Sequence, residues 1–283
     1  MRGFGRIGDP PPTLGPPQLA RPRLRRPATR VMGALGAAAI VLTLLGAWEL
    51  YADFGPVDRL ILPAPHEVAS RLWLDRALLW DDFTVTAGEV LLGILVAGAA
   101  GFFCAIALHM WLALRISIYP LLVASQTIPI VMVAPLLVTW LGFGLAPKLA
   151  IIGLIAFFPI VVTTLDALGR VDAELRKLLR TLDAPRLAVL RHVELPAALP
   201  GLFSGAKLAV VFAVIGAVFA EWSGSDAGLG HLFQQAIPQL LTARAYAAVL
   251  ILSAFAIALF GLLTLAERLL VPWAHEPPPG RSR

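Results

Sequence analysis

Ionisable side chains inside apolar runs are the residues that could carry chemistry here. The most suggestive is Glu221, beside Trp222 at the end of an apolar run over about residues 202–222. An ionised carboxylate wholly in hydrocarbon costs about 2.5–3.5 kcal/mol or shifts its pKa, and the cost falls near the interface. Glu221 therefore marks either an outer gate or partner docking point, or a solvated helix end. Gln126 and Thr127 stand in SQTIPIVMVAP, where Pro129 and Pro135 free backbone carbonyls; the two side chains either line a polar path or satisfy that loosened backbone. Pro159 marks a kink.

Catalytic and cofactor chemistry is harder to place. Gly201-Leu202-Phe203-Ser204-Gly205-Ala206-Lys207 lacks the spacing of a phosphate loop and the Ser or Thr after its lysine, and no strand precedes it, so it is not read as a nucleotide site. His66, His109, His192, His231 and His275 show no second ligand at helical spacing, so no metal is expected. Ser253 has no intramembrane histidine to activate it except His109 at a helix end, which leaves no catalytic set. A lone Cys104 excludes an intramolecular disulfide.

One long polar stretch separates two apolar segments: RVDAELRKLLRTLDAPRLAVLRHVELPAALPGLFSG, residues 170–205. Leu175, Leu178, Leu179 and Leu182 fall at i, i+3, i+4 and i+7, the spacing of a helix with one apolar face. Asp172 suits its cap and Glu174 its first turn, with Arg176, Lys177 and Arg180 following. That helix is expected to stop near Asp183. Ala184, Pro185 and Arg186 then open a short second helix, with Pro185 acceptable in its first turn and Leu187, Val189, Leu190 and Val193 giving two apolar rows. Pro196, after Leu195, and Pro200 are expected to break the chain twice.

The elements that position these residues follow from composition. With 58% hydrophobic and 14% charged residues and a mean hydropathy of +0.80, 283 residues are too apolar for a water-soluble domain. An all-α integral membrane protein is expected. Six spans fit the roughly 20 residues a bilayer needs, at about residues 31–51, 89–110, 119–141, 149–168, 202–222 and 246–271, with the loop 170–201 between the fourth and fifth. Residues 1–30 carry seven Arg and seven Pro and read as a disordered tail; 31–273 form one domain, and 274–283 a second tail. Between the first two spans, Pro63 and Pro65 introduce a surface helix over residues 66–80, with Trp73 and Trp80 at headgroup level.

Charge orients the chain. Of the 23 Lys and Arg, only Arg59, Arg71, Arg76, Lys148 and Arg244 fall on the proposed outer side, which places both termini in the cytoplasm. The basic residues flank apolar runs, so the net charge of +5 does not indicate a nucleic-acid partner. Gly205, Ala209, Ala213 and Gly216 recur every three or four residues, as do Gly93, Ala97, Gly101 and Ala105; such rows serve helix packing within the chain or contact across a dimer axis. Lys207 is expected to snorkel to the inner surface, and Glu89, Asp166 and Glu267 to need no special role near span ends.

The polar stretch resembles the cytoplasmic coupling loop of ATP-binding-cassette (ABC) importer permeases, whose motif runs Glu-Ala-Ala, three residues, Gly, nine residues, Ile-x-Leu-Pro. Val193-Glu194-Leu195-Pro196 matches its end; Asp183 stands where the family has glycine, and Lys177-Leu178-Leu179 where it has Glu-Ala-Ala. Ala220-Glu221-Trp222, Gly228-Leu229-Gly230, Trp140-Leu141-Gly142-Phe143-Gly144 and Trp273 are similar to permeases for sulfonates, taurine, nitrate and thiamine precursors. The likeness covers roughly residues 86–273, and Glu-Trp-x-Gly-Ser with Phe157-Phe158-Pro159 looks nearest the pyrimidine-precursor group.

This resemblance implies the type I importer fold in a bacterial cytoplasmic (inner) membrane and no catalysis by this chain. It also implies a second permease subunit of the same kind, a pair of ABC ATPases that bind ATP and Mg, and an extracytoplasmic solute-binding protein. The alternative is a self-contained ion-coupled transporter. Such carriers usually place paired acids or broken helices near the midplane, whereas here the ionisable residues are expected at span ends.

Overall fold

The computed structural model describes residues 27–275, and every regular element among them is helical. Among the described residues, 27–45 belong to one unit and 46–275 to another. Helix α1, Pro27–Phe54, starts inside the expected tail; residues 1–26 and 276–283 lie outside the described residues. Within the first unit, Thr43 Oγ1 donates to Ala39 O (2.8 Å), the usual way a hydroxyl is satisfied on an apolar helix.

The second unit is organised around α6, Leu145–Gly169, which packs between α3, Arg76–Met110, and α9, Leu195–Gly224. No hydrophobic effect drives helices together in lipid, so close approach by small residues has to do it. On α3, a Cβ at Gly101 would meet the Ile160 side chain at 3.0 Å. On α9, a Cβ at Gly205 would meet backbone of α6 at Ile160 Cα (3.0 Å) and Pro159 O (3.0 Å), and one at Gly216 would meet Ile152 Cα (3.2 Å). Ala209 and Ala213, between those glycines, are fully buried in the same seam.

Helix α2, Pro65–Leu74, opens on a proline, and Glu67 Oε2 accepts the N–H of Ala64 (3.1 Å). Only Asp75 separates it from α3, so the expected surface helix ends six residues early, and α3 begins well before the expected second span at 89. Asp82 and Thr86, in the part of α3 that precedes the expected span, lie on its buried face with partners elsewhere in the chain.

The expected third span, 119–141, is not one helix. Helices α4, Leu112–Ser125, and α5, Ile130–Leu141, meet at 102°. Three turn bonds, Gln126 N to Val123 O, Thr127 N to Ala124 O and Ile128 N to Ser125 O (3.1–3.3 Å), close α4 before Pro129, which has no N–H to continue it. Among the described residues, five helices are thus long and apolar enough to cross a membrane, and the bent pair makes a sixth if counted as one span.

A second correction concerns Pro196 and Pro200. After α7, Ala173–Thr181, the short helix α8, Arg186–Val189, runs through a π-helical turn, Leu190–Glu194, directly into α9. In that turn Leu195 N bonds to Leu190 O, one residue further back than an α-helix allows, and Pro196 falls in the first turn of α9, where a missing N–H costs little. Pro200 is carried inside α9, and Ser204 Oγ donates to its carbonyl (2.9 Å). Helices α10, Leu229–Ala236, and α11, Thr242–Leu270, follow, and a 3-10 turn, Pro272–His275, ends the described chain.

Candidate functional site

Two polar regions lie at opposite ends of α9. At its N-terminal end, Asp172 Oδ1 accepts the Glu174 N–H (2.8 Å) and starts α7. Asp183 takes φ +53°, the left-handed turn that side chains other than glycine and Asn/Asp seldom hold, and Ala184 N closes back onto Leu179 O (3.1 Å). Pro185 is extended at the cap of α8 and cannot donate there in any case. Arg186 reaches from α8 to the carbonyls of Met110 (2.5 Å) and His109 (3.4 Å) at the end of α3.

The leucines of this stretch divide sharply. Leu175, Leu178, Leu182 and Leu187 are exposed, Leu187 to 68%, and Lys177 is exposed among them. Leu179, Val193, Leu195 and Pro196 are half-buried. Leu190, grouped with Leu187 by sequence spacing, is only 4% exposed and packs with Leu168 and Ala198, so it belongs to the chain's own core and not to a docking face. Three residues on a helix turn through about 300°, so Leu190 stands on the face next to that of Leu187, the one that meets Leu168 of α6 and Ala198 of α9.

At the other end, Glu221 is 1% exposed, so it is neither a solvated helix end nor a point that a partner can touch. Its carboxylate accepts from Thr86 Oγ1 (2.6 Å), Gly230 N (2.6 Å) and His231 N (3.2 Å), the last two being orphan donors in the first turn of α10. Thr86 Oγ1 accepts in turn from Leu229 N (2.9 Å), and Asp82 Oδ1 accepts from Gly228 N (2.8 Å). Gly228 sits at φ +117° with the Glu221 carboxylate where a Cβ would be, so glycine is required there on both counts. Trp222 Nε1 donates to Gly230 O (2.9 Å), and its ring stacks on Phe233.

Next to this lies a buried ion pair that the sequence reading did not find. Lys148 Nζ donates to Glu89 Oε1 (2.6 Å) and to Ser225 Oγ (2.6 Å), while Ser225 Oγ donates to Ala227 O (2.6 Å). Glu89 is 5% exposed, and its Oε2 has no partner. The signal was present: Asp82, Thr86 and Glu89 stand at i, i+4 and i+7, one face of a helix, ahead of the small row that starts at Gly93.

Gln126 and Thr127 do not join this network. Both are exposed in the turn between α4 and α5, where Thr127 Oγ1 donates to Ala124 O (2.8 Å) and Gln126 Nε2 to Ser125 Oγ (3.3 Å). Lys207 donates to Glu267 Oε2 (2.7 Å), giving that acid a partner as well. His66 is not isolated either. Its Nδ1 lies against Glu49, and the two form a small cluster with Asp53 in which Arg59 Nη2 reaches Asp53 Oδ1 (3.2 Å). The bond to Glu49 raises the His66 pKa above its ordinary value.

Residues 90–274 match the family described as binding-protein-dependent transport system inner membrane component. A probable ABC transporter permease protein of Haemophilus influenzae is 37% identical over 221 residues, 78% of this chain and 90% of that protein. The formylaminopyrimidine transport permease protein ThiX of Halalkalibacterium halodurans is 31% identical over 86% of this chain and 97% of its own length. The riboflavin transport system permease protein RibX of Chloroflexus aurantiacus is 34% identical over 85% of this chain and 90% of its own length.

Proposed function

From the premise that the chain belongs to the family of binding-protein-dependent transport system inner membrane components, and so is a non-catalytic, multi-pass ABC permease subunit of the bacterial inner membrane, we propose an import mechanism in which α7 and α8 dock a separate ATPase. The observation that carries this reading is the exposed leucine set Leu175, Leu178, Leu182 and Leu187, mounted on a capped and turned segment fused to α9. Exposed leucines on a polar, basic segment have no lipid to face, so a protein partner is the natural cover. ATP and Mg belong to that partner, present as a pair. Counting α4 and α5 as one span gives six, with both termini cytoplasmic and the α10 end of α9 facing outward, towards the solute-binding protein.

In this scheme two permease copies enclose the path, and ATP-driven closure of the ATPases rocks the spans between inward and outward access. The solute is a small molecule, with a pyrimidine precursor of thiamine first among the choices; relatives named for formylaminopyrimidine and for riboflavin transport support a heteroaromatic cargo over the sulfonate and taurine permeases, which are 28% identical or less. The helix break at Pro129 and the buried Glu89–Lys148 pair are features an ion-coupled carrier would share, so family membership, not their absence, separates the two mechanisms. The test is purification of the chain with its neighbours. Leu187→Asp is expected to lose the ATPase while inserting normally, and undiminished capture would overturn the docking role. The ligand retained by the co-purified binding protein checks the cargo.

A further inference from the structure

We propose that Glu194 is a positioning residue that clamps the α7–α8 segment to the C-terminal end of α3, so that motion of the segment is delivered to α3 as well as to the spans it joins covalently. The inference rests on the reading of α7–α8 as the ATPase-docking segment and adds the path by which its movement travels.

Covalently the segment continues only into α6 on one side and α9 on the other. It reaches α3 through two kinds of contact. One is the apolar cluster of Leu168, Leu190 and Ala198, against which Ile106 and Met110 of α3 pack; such a surface adheres but resists sliding weakly. The other is directional. Glu194, buried in the π-helical turn, has Oε2 3.0 Å from His109 Nε2 of α3 and Oε1 3.6 Å from Arg176 Nη1 of α7. Arg176 Nη2 also donates to Val171 O (2.7 Å), and Arg186 of α8 holds the last carbonyls of α3. One carboxylate thus holds α3 through a charge-assisted hydrogen bond with His109, about twice as strong as a neutral one, and α7 through an ion-pair contact with Arg176.

The space beside it is open. A cavity of about 190 Å³ is lined by His109, Arg176, Ala184, Arg186, Val189 and Glu194. Close-packed interiors resist displacement, whereas side chains around a void can swing. The segment therefore has room to rotate against α3, and the bonds to Glu194, not steric packing, decide how far α3 follows.

The test uses the complete transporter in vesicles: permease pair, ATPase and binding protein. In Glu194→Gln, ATP hydrolysis stimulated by the loaded binding protein is expected to stay within about twofold of the parent while solute moved per ATP falls about tenfold, inside the ~5–150-fold span of typical coupling free energies. His109→Gln, which keeps a donor towards Glu194, is expected to lose less. An unchanged ratio in Glu194→Gln overturns the clamp, as does a parallel fall of hydrolysis, transport and Tm, the mark of a merely structural role. Should Glu194→Gln fail to fold, Arg176→Gln replaces it, at a side chain 28% exposed, and the same unchanged ratio there overturns the clamp. If the parent itself captures no ATPase, the docking reading falls first and takes the clamp with it.

Discussion

At the N-terminal end of α9 the chain leaves Leu175, Leu178, Leu182 and Leu187 uncovered and keeps its polar bonds beneath them; at the C-terminal end it seals Asp82, Glu89, Lys148 and Glu221 inside and covers them with the start of α10. Under the docking proposal the first end is the one a partner covers, since exposed leucines gain only when something covers them. The second is complete in itself, because nearly every buried acceptor meets a donor from its own chain and the α10 N-terminus supplies charge complementarity that no ligand need provide. The proposal gives binding to one end and rigidity to the other, and single substitutions should separate the two roles.

The widest separation is expected within the first end. Leu190→Asp places a charge in the cluster of Leu168 and Ala198, at a cost on the order of 5 kcal/mol, so folded chain should be lost. Leu187→Asp, three residues away on an exposed surface, should leave Tm unchanged and remove the ATPase. Fluorescence-detected gel filtration with ATPase capture reads both outcomes. Equal behaviour of the two variants would erase the distinction between core and docking face.

At the second end, Lys148→Met strands Glu89 without its cation and is expected to cost about 3–5 kcal/mol, while the double variant Lys148→Met with Glu89→Leu should recover most of that. A thermal-melting cycle on the four proteins measures the difference, and ATPase capture should be unaffected throughout. If the double variant melts like the wild type yet no longer transports, the pair serves the solute path and the end is not purely structural. Gly228→Ala comes next, at about 1–3 kcal/mol, because the new Cβ meets the Glu221 carboxylate at a positive φ. Melting that matches the wild type would mean that the α9–α10 turn relaxes freely.

The same contrast explains what could be read from the residues alone. The Asp172 cap, the turn at Asp183 and the match Val193-Glu194-Leu195-Pro196 are signals carried by neighbours in the chain, and the apolar runs of α1, α6, α9 and α11 follow from composition. The buried network joins Thr86 to Glu221 and Asp82 to Gly228 across separations of 135 and 146 residues, so no local pattern announces it. Asp82 and Thr86 gave no sign of their partners, because a polar residue in a single sequence looks the same whether water or a distant backbone N–H satisfies it. The prolines misled in the opposite way. Pro129 does end a helix, but Pro196 falls in the first turn of α9, after a π-helical turn that no residue type marks, and Pro200 is carried inside α9.

The smallest effect is expected at His66, the exposed counterpart of the buried ties at the second end. Glu49 holds the His66 pKa above the ordinary imidazole value of 6.5, so the protonated form is the one that the folded chain favours. The contribution of this contact to stability is then fully present below the unfolded value and is lost as pH rises through the raised folded value. His66→Asn should accordingly melt below the wild type at pH 5.5 and level with it at pH 8.5, whereas the deficit of Gly228→Ala, which comes from steric and backbone strain, should persist at both. A His66→Asn deficit that instead grew with pH would show that the neutral ring is the preferred partner of Glu49, and would remove the electrostatic link between the end of α1 and α2.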